Sequence, residues 1–156
     1  MEPHYKSIAI ILMGMFIGVA ARPWERVPHD GESSIPSDTL GTRPLRFIMV
    51  GLGQEMSRIG DGLWHEDYEM IGQAARLVAD HPRVTAAEMA AIKTALGDRF
   101  QSFVAFDQFV HHTAVELDSA ATALDTNRIL DAYGRLQNGC VSCHATFRAE
   151  VRAALY

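Results

Sequence analysis

Thr126–Tyr156 reads TNRILDAYGRLQNGCVSCHATFRAEVRAALY. Within it Ile129, Tyr133, Leu136, Cys140, His144, Phe147, Val151 and Leu155 recur at spacings of three and four. That period places side chains on one face of an α-helix. Asp125-Thr126 in front of the stripe supplies a side chain able to cap a helix start. The segment therefore predicts a long C-terminal helix with one apolar face, and its two cysteines and His144 fall on or beside that face.

Upstream, Phe103, Phe106, Val110, Ala114, Leu117, Ala121 and Leu124 repeat the period over six turns. Thr85 followed by Glu88 has capping-box spacing, so Ala86–Leu96 predicts a short helix stopped at Gly97. Pro44 suits a first helical turn, and Leu45, Ile48, Met49, Leu52, Met56, Ile59 and Leu63 follow on one face. Asp67 then caps a second helix carrying Met70, Ile71, Ala74, Leu77 and Val78, closed by His81-Pro82. No stretch shows sustained strand-like alternation. Four principal helices with short connections predict an all-α fold, an antiparallel four-helix bundle over residues 44–156, because short loops force neighbours to run in opposite directions.

The N-terminus is different. Lys6 precedes an unbroken apolar run from Ile8 to Ala21, too short to span a bilayer comfortably and ending in Gly18-Val19-Ala20-Ala21. Residues 1–21 read as a signal peptide cleaved after Ala20 or Ala21, with an uncleaved membrane anchor as the alternative. Residues 22–43, with Pro23, Pro28 and Pro36 and no apolar period, read as a flexible linker or as an arm held by Trp24 or Leu40. The expected location is the periplasm, with a possible tether to the inner membrane.

The chain has 156 residues, 48% hydrophobic and 21% charged, with 14 Lys and Arg against 19 Asp and Glu. No basic block or arginine stripe stands out, which argues against nucleic-acid binding. A net charge of −5 is what solubility alone produces; as a steering field it would favour a basic redox partner. Only two cysteines are present, which excludes a multi-bridge disulfide scaffold and a four-thiolate zinc site.

Those two stand in Cys140-Val141-Ser142-Cys143-His144, the CxxCH pattern of c-type haem attachment. On a helix, positions i, i+3 and i+4 share a face. Both sulfurs can then reach the vinyl groups on one porphyrin edge while the adjacent imidazole turns under the iron. Two other chemistries compete. A thiol–disulfide pair calls for a βαβ setting, which is not visible. A zinc site needs two more ligands, and His111-His112 are the only compact candidates. Those neighbours point about 100° apart on a helix, so at most one faces the core, and a surface or hydrogen-bonded role fits both.

A CxxCH late in the chain, on the last helix of a four-helix bundle and followed by Phe147-Arg148, resembles the cytochrome c-prime family, the class II c-type cytochromes. The resemblance covers roughly Pro44 to Leu155 and rests on that architecture plus Cys140–Arg148. It implies one covalent haem c, thioether-linked through Cys140 and Cys143, with His144 as proximal iron ligand and Arg148 beside that ligand. A plain cation near a helix C-terminus is the other reading of Arg148.

The family divides into low-spin forms with a first-helix methionine on the iron and five-coordinate forms with an apolar distal side. Met49 and Met56 are seven residues apart on one face. The interval from Met49 to Asp67 resembles that of Met-ligated relatives, so Met49 is the expected distal ligand and Met56 the alternative. Both methionines would also serve as core. If neither binds, Ile48 or Leu52 lines an open pocket. Phe103, Phe106, Phe147 and Tyr133 would pack around a porphyrin or bury themselves without one, and Trp64 and Tyr68 would cover a bundle end. The expected function is electron transfer by a mono-haem cytochrome with unidentified redox partner proteins; the alternative is binding of NO or CO. No nucleophile–base set or paired carboxylate site points to an enzyme. An exposed first-helix face would permit a homodimer.

Overall fold

The computed structural model describes residues 41–156. The signal or anchor expected over 1–21, and all but the last residues of the expected linker, lie outside the described residues. In order come β1 (Thr42–Arg43), α1 (Leu45–His65), α2 (Tyr68–Ala79), β2 (Arg83–Val84) and α3 (Ala86–Leu96). A 3-10 turn at Gly97–Arg99 leads into α4 (Phe100–Thr122), and α5 (Thr126–Leu155) follows. The fold is all-α: α1, α2, α4 and α5 are four long helices packed together. Among the described residues no helix is long and apolar enough to cross a membrane.

The start of the bundle corrects the linker boundary. Thr42 and Arg43 pair in parallel with Arg83 and Val84, and the Thr85 N–H donates to the Arg43 carbonyl at 3.2 Å. Pro44 is the N-cap of α1 (φ −57°) rather than part of its first turn, and it has no side chain to offer the exposed N–H groups. Glu88 of α3 supplies the missing acceptor, taking the Leu45 N–H at 2.6 Å. The expected capping box is consequently half formed. Thr85 Oγ1 accepts the Glu88 N–H at 3.4 Å, while the Glu88 carboxylate crosses to α1 instead of turning back. An anion at a helix N-terminus satisfies an orphan donor and meets the positive end of the dipole.

The two tight turns share a design. Glu66 (φ 55°) and Leu124 (φ 54°) adopt the left-handed conformation just past α1 and α4. The next residue closes back by five, Asp67 N–H to the Gly62 carbonyl (2.9 Å) and Asp125 N–H to the Ala120 carbonyl (3.1 Å), as in a Schellman ending. Each aspartate then caps the following helix, Asp67 accepting from the Met70 N–H and Asp125 from the Arg128 N–H. Leu124 is thus outside the α4 stripe and exposed, contrary to its period. Trp64 is 87% exposed and covers nothing, so only Tyr68 closes this end, through a 2.7 Å hydrogen bond with Thr126 Oγ1.

Packing is chiefly α1 on α2, α2 on α4 and α4 on α5, with α3 docked on α5; α1 and α5 share no such extended interface. The main core draws Ile59 from α1, Ile71, Ala74, Ala75 and Val78 from α2, Val110, Ala114, Leu117, Ala120 and Ala121 from α4, and Ile129, Ala132 and Leu136 from α5. A second, smaller cluster holds Ile92 and Leu96 of α3 against Phe147 and Val151 of α5. The short helix is therefore a separate plug at the bundle end. Each fully buried Ile or Leu contributes about 1.5–3 kcal/mol of hydrophobic stabilisation.

Candidate cofactor-binding site

Tyr133 and Leu45 fix how α1 and α5 face each other. The Tyr133 hydroxyl donates to the Met56 carbonyl at 3.2 Å, and a Cβ at Gly60 would lie 3.2 Å from the Tyr133 hydroxyl oxygen. Further along α5, Cys143, Phe147 and Val151 share a cluster with Leu45. Rising residue numbers on α5 thus meet falling numbers on α1: the pair is antiparallel, held by Tyr133 at one level and by α3 with Leu45 at the other. Between those levels about 20 Å of α5 faces α1 across a seam with no extended interface.

The residues of the CxxCH motif occupy that stretch. Cys140 is half-buried against the main core and Cys143 half-buried against the end cluster, so the two sulfurs straddle the boundary between them. His144 is exposed. Its position lies 11 residues after Tyr133, three turns on, which places it on the same α1-facing flank. Helical side chains lean toward the N-terminus, so the imidazole leans back toward the Cys140 level. Arg148, one turn beyond, is exposed and takes part in no salt bridge among the described residues.

Register separates the two methionines. Met56 is level with Tyr133, half-buried and packed on the main core. Met49 lies seven residues toward the α1 N-terminus, and Cys140 lies seven residues toward the α5 C-terminus. In an antiparallel pair these steps cover the same ~10 Å in one direction, so Met49 stands opposite the CxxCH turn and Met56 does not. Met49 is 38% exposed although its neighbour Ile48 is buried, and Leu52 lies between the two methionine levels, half-buried. A large apolar side chain left partly in water at this place is what an unfilled seam produces.

The aromatic residues sort by position. Phe147 is buried and meets Phe103 and Phe106 edge to face, with centroids 5.8 and 6.0 Å away, so these three form a wall of the end cluster on the α4 side. Tyr133 bounds the seam. His111 and His112 are not drawn in: His111 Nδ1 lies 2.7 Å from the Ala79 carbonyl and His112 is exposed. Among the described residues no three His, Cys, Asp or Glu side chains gather as a metal cage.

Burial pushes both thiols up, Cys143 to about 11 with the charges of Cys140 and Asp107 adding to the effect. Reactive thiol pairs need the opposite, a pKa lowered toward neutrality. The donor set suits a porphyrin better: two soft, half-buried sulfurs one turn apart, an imidazole on the flank facing the seam, and a thioether opposite. The sequence names Cys140, Cys143, His144 and Met49 but not two contacts beside them, that of Tyr133 with α1 and the Glu88 cap. The former could have been read only from Gly60 lying opposite a stripe tyrosine.

Compared with protein-family models, with curated proteins and with solved structures, the chain matches none.

Proposed function

We propose that this protein is a mono-haem c-type cytochrome of the cytochrome c-prime kind, acting in electron transfer. The observation that carries the reading is the CxxCH turn on α5, its two cysteines half-buried and one turn apart, with exposed His144 beside them and partly exposed Met49 level with them on α1. Cys140 and Cys143 would hold the group by thioether bonds, which keep it attached through unfolding. His144 would be the proximal ligand and Met49 the distal one, favoured over Met56 by register. Bound haem would supply a one-electron Fe(III)/Fe(II) couple, with thioether ligation raising its potential relative to an open site. The chain's residues hold and orient it, exclude water through Leu45, Leu52 and the Phe147 wall, and leave one edge at the seam.

The expected export of residues 1–21 would place the domain in the periplasm, where such attachment takes place, or tether it to the inner membrane. Exposed Phe47 and Val50 on α1 are consistent with a homodimer. A second reading, reversible binding of NO or CO, draws on the same α1 flank: Leu45, Leu52 and Met56 offer no hydrogen-bond donor, so without Met49 on the iron the distal side is apolar.

One optical spectrum separates the two. Electron transfer with Met ligation predicts low-spin haem and a weak sulfur-to-iron band at the red end, both lost in Met49→Ala. A high-spin spectrum of the unaltered protein contradicts Met ligation and supports the gas-binding reading.

A further inference from the structure

The seam rim carries a charge opposite to that of the whole chain. On α1, residues 45–54 include no Asp or Glu; on α5, residues 132–149 include none. The carboxylates nearest these stretches are partly engaged, although Glu88 lies beside Leu45 at the rim and Asp107 of α4 is close enough for its charge to act on Cys143. Glu150 pairs with Arg99, Asp131 with Arg135, and Glu88 is engaged with the Leu45 N–H. In and beside these two acid-free helix stretches stand Arg46, three residues before Met49, and Arg148 and Arg152, which continue the His144 row by one and two turns and outnumber the single rim carboxylate, Glu88. All three are exposed and none has a salt-bridge partner among the described residues. Val141, 66% exposed, lies in the same stretch of α5 as an apolar contact.

From this we infer that the rim of the α1–α5 seam, with Arg46, Arg148 and Arg152, is the docking surface for an acidic electron-transfer protein. The inference rests on the haem reading proposed above. Haem seated between α1 and α5 would be nearest the surface along their seam, and electrons cross between proteins where the redox group is nearest the partner. A local field of one sign steers an oppositely charged partner to that place even when the net charge has the partner's sign. The net charge of −5 alone would select a basic partner. The local and global charges therefore make opposite predictions.

The probe is a small anionic oxidant, ferricyanide, mixed with the reduced full-length protein produced alongside haem-attachment machinery. One electron passes from the reduced protein to ferricyanide, giving oxidised protein and ferrocyanide, and no bond or proton changes. The rate constant is expected to fall about threefold or more as ionic strength rises from about 10 to 200 mM, because the Debye length shrinks from about 30 Å to below 8 Å. Arg46→Glu with Arg152→Glu should lower the low-salt rate by a similar factor and flatten the salt dependence. Arg128→Glu changes net charge on the same helix but sits about 24 Å of helix from His144, and it should leave the rate nearly unchanged. If the Glu pair fails to fold, Arg46→Gln with Arg152→Gln is read instead, for a smaller drop in the same direction.

A rate that rises with salt, or an Arg128→Glu effect as large as that of the rim pair, overturns the docking surface. Absence of a haem spectrum overturns the haem reading itself, and is seen before any kinetics begin.

Discussion

From the end where α1 turns into α2 and α4 into α5, a cluster of thirteen buried residues from four helices runs as far as Val78, Val110 and the level of Cys140; beyond it, at Cys143, the next cluster has only four from two helices. The first end is sealed by two aspartate-capped turns and by the Tyr68–Thr126 hydrogen bond. The second is plugged by α3 and leaves Met49, Val141 and His144 at the surface of the α1–α5 seam. One bundle thus contains a part that holds most of the buried core and a part that holds little of it; both leave large apolar side chains in water, Trp64 and Leu124 at the first, Met49 and Val141 at the second. The cysteines and histidine fall at the second part. Haem held there, as proposed, would cover Met49 and Val141.

Truncating one large side chain at each end tests that contrast with the largest effect. Leu136→Ala, in the closed core, should destabilise the haem-free protein by about 2–5 kcal/mol in urea unfolding. Met49→Ala should cost the haem-free protein below about 1 kcal/mol, as for a surface position. Equal costs would erase the distinction between the ends. Gly62→Ala comes next. A Cβ there would lie 2.7 Å from Ile71 Cγ1 and 3.1 Å from the Asp67 carbonyl oxygen, so the closed end should lose about 1–3 kcal/mol by overpacking, read as a lower urea midpoint.

Leu124→Gly should act the other way. It removes an exposed leucine held at φ 54° and should raise stability by about 1 kcal/mol, since a left-handed residue with a Cβ is strained by roughly 1–2 kcal/mol. The smallest effect belongs to the other end. His81 Nε2 lies 3.4 Å from Asp107 Oδ1, and that hydrogen bond raises the His81 pKa above 6.5 against the opposing pull of burial, with the Pro82 carbonyl assisting. A raised folded-state pKa gives a stabilisation that is full below the unfolded value and is lost as pH climbs through the folded one. Stability should therefore decline from pH 6 upward through neutrality by this contribution, and Asp107→Asn should remove that part of the slope in urea titrations at several pH values.

The helices were legible because their apolar residues keep one period and their caps are local: Asp67, Thr85, Gly97 and Asp125 act where the chain predicts. CxxCH was equally legible, being contiguous. What the sequence did not disclose depends on residues far apart in the chain. Glu88 satisfies α1 across 43 residues, and Thr42 and Arg43 join the fold through a strand partner 41 residues away. The Leu124 stripe position failed because a turn overrode the period. Trp64 failed because size and hydrophobicity do not ensure a surface to cover. That Met49 rather than Met56 is level with Cys140 depends on the α1–α5 register, which no local pattern contains.

Covalent attachment of haem tests the central claim most directly. The protein, produced with haem-attachment machinery, is denatured and extracted with acidified organic solvent, and its absorption and mass are measured beside those of Cys140→Ala with Cys143→Ala. The account predicts a Soret band and a mass increase of one haem that survive extraction in the first and are absent in the second. A chain that emerges colourless with two titratable thiols, at the mass of the polypeptide alone, would contradict it.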